Sequence, residues 1–189
     1  MPGAVERLRD DILVLEHRAG DVAALETLIT RWQARIYCYI LTLVRDKEAG
    51  WDVSQDVWLA AIAGLGKSRS IHNFPAWLYG IAHNKAVSHL RRKRRLDNHE
   101  EALPEPIEEP SSNEGDSLAA AEDAGLVREC LQRLPLAQRE VLGLFYLDDL
   151  SLGEIAEILD VPQGTVQSRL HYGRMKMKGL LLRRGYSHD

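Results

Sequence analysis

The stretch SLGEIAEILDVPQGTVQSRLHYGR, residues 151–174, decides how the chain is read. Ser151 is a helix-capping residue, and Glu154, three positions on, completes a capping box. Ile155, Ala156 and Leu159 then recur at helical spacing, which makes one face apolar. Asp160-Val161-Pro162 interrupts the pattern, and Pro fits the first turn of a new helix, where a missing N–H costs nothing. Val166 and Leu170 give the second helix a buried stripe. Between and beyond them stand Gln163, Gly164, Thr165, Gln167, Ser168, Arg169, His171 and Arg174, with almost no acid among them. The pattern predicts a helix-turn-helix. Its second helix suits a major groove, where Gln and Arg read base edges and Ser and Thr hold phosphates. Two amphipathic helices packed in a bundle would share the apolar stripe. The capping box, the short turn and the acid-free face together favour DNA.

The chain has 189 residues, of which 28% are charged and 45% hydrophobic, an ordinary balance for a soluble globular protein. It has no apolar run of membrane-spanning length, and MPGAVERLRDD lacks the apolar core of a secretion signal, so a cytoplasmic protein without membrane insertion is expected. Cys38 and Cys130 lie far apart in apolar-periodic stretches, which predicts packed, reduced thiols. The net charge of −4 is unevenly spread: residues 97–123 hold ten of the 28 acids and no Lys or Arg. The remainder carries 24 basic against 18 acidic residues, so the folded parts are cationic and the acid lies in a linker.

Taken in order, residues 4–19 place Leu8, Ile12 and Leu15 at helical spacing, and Asp21 can cap the next helix. Leu25, Leu28, Ile29, Trp32, Ile36, Ile40 and Leu43 run as one stripe to about residue 45. After a break over 45–50, a third helix covers about 52–64, with Val53, Val57 and Ala60 inward and Asp52, Gln55, Asp56 and Leu59 on another face. Residues 65–73 read as a polar loop. The next helix starts near Phe74-Pro75, takes Ile81, Val87 and Leu90, with Trp77 or Leu78, as its core side, and ends in five cations, Arg91 to Arg95. The helix dipole favours cations there, but five in a row exceed that need and point to phosphate binding. A linker over 97–117 then separates a domain at 1–96 from one at 118–189, whose helices carry Leu126, Val127, Leu131, Leu134, Val141, Leu142, Phe145 and Leu147. The expected fold is all-α: two small helical domains joined by a flexible acidic linker, the C-terminal one a helix-turn-helix.

Three segments, in this order, resemble the sigma-70 family of bacterial RNA polymerase specificity subunits in its small extracytoplasmic-function form. DVSQDVWLAAI is similar to that family's core-polymerase-binding segment. FPAWLYGIAHNKAVSHLRRKRR is similar to its −10 segment, and LPLAQREVLGLFYLDDLSLGEIAEILDVPQGTVQSRLHYGRMKMKGLL to its −35-binding domain. The resemblance covers about residues 20–182. It implies that Asp52, Gln55, Asp56, Trp58 and Leu59 meet the polymerase clamp helices. It implies that Lys67, Arg69, Asn73, Trp77 and Asn84 lie at the opened −10 strand, with Lys85, His89, Arg91, Arg92 and Arg94 on nearby phosphates. Gln163, Gly164, Thr165, Gln167, Ser168, Arg169, His171 and Arg174 would lie at the −35 duplex. Trp77 and Tyr79 are aromatic enough to stack on bases, and their helical setting equally suits core packing.

The implied partners are core RNA polymerase, promoter DNA and an anti-sigma factor. No cofactor and no metal are implied, and the chain is not expected to be an enzyme: His83 and His89 are six residues apart and cannot share a helix face as metal-binding pairs do. Asp160 stands where the family often has Gly, and Asp tolerates positive φ. Ser54 stands where the family tends to be apolar, and Gly80 and Gly173 where it has better helix formers. The alternative reading is a stand-alone helix-turn-helix regulator on operator DNA, which leaves the first domain and its basic helix unused. A helical adaptor with no DNA role leaves the recognition face and RRKRR unused as well.

Overall fold

The computed structural model describes residues 4–67, 71, 73–97, 125–127, 129–146 and 150–184, and every regular element among them is a helix. Helix α1 (Ala4–Arg18) is followed by α2 (Val22–Val44), which opens at Asp21, whose carboxylate accepts the Ala23 N–H at 2.8 Å. The chain leaves α2 through Arg45 in the left-handed region, φ 61°, and re-enters a helix at once. Asp46 caps α3 (Lys47–Leu65) by accepting the Ala49 N–H at 3.0 Å. The break expected over 45–50 therefore spans two residues. Gly50 is inside α3, where a Cβ would come within 2.7 Å of Leu41 Cδ2; it serves close helix packing, not a loop.

Helix α4 (Phe74–Asp97) starts where Pro75 predicts, and Asn73 accepts the Ala76 N–H. Its core side differs from the expected one. Phe74, Leu78, Tyr79, Ala82 and Ala86 are buried, while Ile81, Val87 and Leu90 sit half-buried at the margins. Small alanines at the centre let α4 lie close to α2 and α3, and the larger aliphatic side chains fill the edges. In α3, likewise, Ala61 and not Ala60 is fully buried. Trp32 is the aromatic centre, edge-on to Phe74 and Tyr79, and Tyr79 is edge-on to Tyr39. The stripe of α1 is turned outward: Leu8, Ile12 and Leu15 are 60%, 44% and 61% exposed. The helix instead packs through Val14 and Asp10, the latter buried against Arg31 at 2.8 Å. Cys130 is buried as expected, but Cys38 is exposed.

Residues 125–127 and 129–132 are helical (α5) and lead through Pro135 into α6 (Leu136–Tyr146), α7 (Leu152–Leu159) and α8 (Gln163–Arg183). Leu131, Leu134, Val141, Leu142, Leu144, Ile155, Val166 and Leu170 form their core; Leu147 lies outside the described residues. Gly173 has a definite packing role. A Cβ there would stand 3.0 Å from Leu142 Cδ1, so glycine lets α8 cross α6 closely. No such constraint acts on Gly80, which has open space around it. Helix α6 packs on α2 and α7 packs on α4, so one continuous core runs through both sets of helices.

Candidate nucleic-acid interface

Three faces carry the predicted residues. On α3, Asp52, Gln55, Asp56 and Leu59 are exposed and Trp58 is half-buried. Leu59 and Trp51, 68% and 56% exposed, flank an apolar groove of about 610 Å³ between α2 and α3, lined also by Ile29, Tyr37, Trp58 and Ile62. Ser54 forms part of its floor. The indole Nε1 of Trp58 is buried without a hydrogen-bond acceptor. An exposed apolar groove of this kind makes a docking surface for a partner with apolar side chains, and Asp52 and Asp56 stand on the α4 side of the same helix.

The second face is the outer side of α4. Asn84, Arg91, Arg92 and Arg94 are exposed, and Lys85 and His89 half-buried. A polar cleft of about 620 Å³ brings Asn84, Lys85, His89 and Arg92 of α4 together with Asp52 and Asp56 of α3. Burial, then Arg92 and Lys93, hold the His89 pKa below its usual value, with Asp46 and Asp52 opposing them. Lys67 is exposed at the end of α3; Arg69 lies outside the described residues. Trp77 is half-buried against Phe74, and its ring occupies the space a Cβ on Gly64 would need. Tyr79, entertained as a stacking residue, is fully buried among Trp32 and Tyr39 and cannot reach a base.

The third face is the helix-turn-helix. Ser151 and Glu154 exchange both capping-box bonds, and Asp160 makes the turn at φ 51°. Pro162 is at the cap position, one residue before α8. Gln163, Gly164, Gln167, Ser168, His171 and Arg174 are exposed along α8, with Thr165 and Arg169 half-buried. Ser168 spends its hydroxyl proton on the Gly164 carbonyl at 3.0 Å. The Arg174 guanidinium lies over the Phe145 and Tyr146 rings, 5.3 Å from each centroid, which fixes where its charge is presented. Tyr172 and Met175, 58% and 61% exposed, extend the same helix surface, although no pattern in the sequence marks them.

Contacts that the sequence did not foresee join the two sets of helices. Arg139 and Glu140, in the middle of α6, are buried. Glu140 Oε1 is 3.7 Å from His83 Nδ1 of α4, which also meets the Tyr39 hydroxyl at 3.4 Å. Burial raises the Glu140 pKa to about 7, with Arg169 and Arg139 opposing it, and burial with Arg91 lowers that of His83. At the far end of the seam Glu154 binds Arg7 and Asn73. The only sequence signal was a charged pair inside an apolar helical run, LAQREVLGLF.

Among the described residues, no cluster of His, Cys, Asp or Glu could hold a metal ion, and no helix is long and apolar enough to cross a membrane.

Comparison with known proteins agrees with this layout. The model of sigma-70 region 2 matches residues 28–96, and that of sigma-70 region 4 matches residues 124–177. The chain is 30% identical to the RNA polymerase sigma-H factor of Pseudomonas aeruginosa over 177 residues, 88% of this chain and 90% of that protein. It is also 30% identical to the ECF RNA polymerase sigma-E factor of Escherichia coli, over 89% of this chain and 92% of that protein. The fold is similar to that of the sigma factor RpoE from Bartonella quintana, solved in complex with the anti-sigma factor NepR. The TM-score is 0.74 at 22% identity, covering 85% of this chain and 98% of that one. It is similar as well to CnrH, solved with the cytosolic domain of CnrY, with TM-score 0.68 at 24% identity, covering 92% and 97%. With matches to both characteristic regions and relatives at 30% identity over nearly the whole chain, this protein belongs to the sigma-70 family of RNA polymerase sigma factors, in its extracytoplasmic-function branch.

Proposed function

We propose that the chain divides its work between residues 1–96, which bind core polymerase and the −10 strand, and residues 118–189, which read the −35 duplex, with 97–117 as the acidic linker. The observation that supports this best is the separation of three chemically distinct faces. An apolar groove lined by Gln55, Trp58 and Leu59, on the helix that also exposes Asp52 and Asp56, suits the polymerase clamp helices. A cationic helix with Asn84, Lys85, His89, Arg91, Arg92 and Arg94 suits a strand whose phosphates it neutralises. Lys67, Arg69, Asn73 and Trp77 flank that strand. The exposed amides, hydroxyls and cations of α8 suit a major groove, where a bidentate arginine–guanine pair contributes roughly 1–3 kcal/mol of discrimination.

On this reading the chain selects promoters and leaves phosphodiester chemistry to the polymerase, in the cytoplasm and without a cofactor. The similar sigma factor RpoE was solved with the anti-sigma factor NepR, and an anti-sigma factor covering these faces is part of the proposal. Polymerase docking is tested by co-elution with purified core enzyme. Leu59→Asp, which places a charge on the rim of the groove without touching the core, should abolish co-elution and leave the melting temperature unchanged. Retained co-elution would move the polymerase contact away from α3.

A further inference from the structure

We propose that the outer face of α1 is a self-association surface, on which a second copy of this chain seats its own α1 antiparallel. Leu8, Ile12 and Leu15 are strongly exposed, at successive spacings of four and three residues. That alternation is the one that makes a heptad seam, so the three form a single stripe along the helix. The stripe is not a core face left loose. Asp10 and Val14, which pack α1 on the rest of the chain, lie on the opposite side of the helix, and Asp10 is held there by Arg31. Single aliphatic side chains on a surface are ordinary, whereas a contiguous stripe at seam spacing marks an interaction site. None of the three faces on α3, α4 and α8 uses a residue of this helix.

The charges beside the stripe say what covers it. Arg9 and Glu16 are exposed, make no ion pair among the described residues, and stand two turns apart along one edge. Two helices packed antiparallel bring like edges together. When Ile12 of one copy lies over Leu15 of the other, Leu8 lies over Ala19, and the same register sets Arg9 against Glu16 of the second copy. Twofold symmetry repeats that pair in the reverse sense. On the other edge the register sets Asp11 opposite Arg18. Both also serve their own chain, Asp11 by accepting the Phe74 N–H and Arg18 by donating to the Leu65 carbonyl. A parallel pair would instead set Asp11 against Glu16, acid against acid, on both sides. One register thus matches the apolar and the charged positions together, which points to a copy of this chain and not to an unrelated helix. A single short helix offers fewer residues than the roughly 20–30 a side of a standard interface, so the dimer is weak and reversible, with a dissociation constant on the order of 10–100 μM.

The test is sedimentation velocity of the full chain from about 5 to about 500 μM. A reductant is kept present, because Cys38 is exposed and a disulfide would imitate the dimer. Wild type should pass from monomer to dimer over this range. Ile12→Asp puts a charge in the middle of the stripe and should leave the chain monomeric throughout. Arg9→Glu and Glu16→Arg each turn two facing pairs from attraction to repulsion, and each alone should weaken the dimer about tenfold. An equimolar mixture of the two restores opposite charges at both pairs and should dimerise as wild type does. Thermal melting checks that all three variants fold, and the two charge reversals decide the matter if Ile12→Asp does not. Wild type that stays monomeric over the whole range, or a dimer that survives both Ile12→Asp and the charge reversals, would overturn the proposal. Dimerisation of Glu16→Arg by itself, where Asp11 would meet the new cation, would show a parallel pair and overturn the antiparallel seat.

Discussion

His83 Nδ1 of α4 stands 3.7 Å from Glu140 Oε1 of α6, with both side chains nearly buried in the seam between the two sets of helices. The pair sets a pH dependence of stability. Glu140 has a folded pKa of about 7, above its usual 4.5, because burial favours the neutral acid. The folded form therefore holds a proton the unfolded form has lost, and stability falls as pH rises from about 4.5 to about 7. His83 is depressed by burial and works in the opposite sense, costing stability as pH falls below about 6.5. Glu140→Gln removes only the first effect. Its melting temperature should match wild type near pH 4.5 and exceed it at pH 8, with a gain of up to roughly 3 kcal/mol. An equal difference at both pH values would show that Glu140 is not buried as an acid.

Glu154 is shifted the other way. Burial acts to raise its pKa, but the hydrogen bonds from Ser151 and Asn73 and the charge of Arg7 leave it below the usual value. Its contribution is present above about pH 4.5 and is lost as pH falls through the depressed pKa. Ser151→Ala removes one half of the capping box and should cost about 1 kcal/mol at pH 7, measured by thermal or urea unfolding.

The two unusual helix glycines separate cleanly. Gly80 has open space where a Cβ would go, so Gly80→Ala should stabilise by roughly 0.5–1 kcal/mol through helix propensity alone. Gly173 faces Leu142 and Gln138 at 3.0 and 3.4 Å, so Gly173→Val should destabilise by roughly 1–3 kcal/mol, as overpacking does. Opposite signs in one unfolding series test the placement of both residues.

The cations at the end of α4 act on DNA through counterion release. Replacing Arg91, Arg92 and Arg94 by Gln should reduce the salt dependence of single-strand binding by about 0.7 for each phosphate no longer neutralised. Affinity should fall for all sequences together, because phosphates carry no sequence information.

Much of this architecture is written in local patterns. Ser151 with Glu154, Asp21 and Pro75 mark helix starts because capping chemistry acts within a few residues, and each lies where its pattern predicts. The exposed faces of α3 and α8 were legible for the same reason, since helical spacing alone decides which side chains share a surface. Two kinds of feature were not legible. Gly50 looked like a break and Gly173 like a defect because their reason lies on another helix, Leu41 in one case and Leu142 in the other. Leu8, Ile12 and Leu15 have a core-like spacing, yet α1 buries Asp10 instead, because Arg31 compensates its charge. The seam itself, with His83, Glu140, Arg7 and Glu154 drawn from distant parts of the chain, depends on how the two sets of helices meet, which no local pattern encodes.

Run-off transcription with purified core polymerase on a promoter library tests the central claim most directly. Promoter-specific transcripts should appear only when the chain is added. They should be lost with Gln167→Ala combined with Arg169→Ala, or with neutralisation of residues 91–95. Footprints on duplex DNA by the chain alone, with no polymerase-dependent transcript, would contradict the account and leave a stand-alone operator-binding regulator.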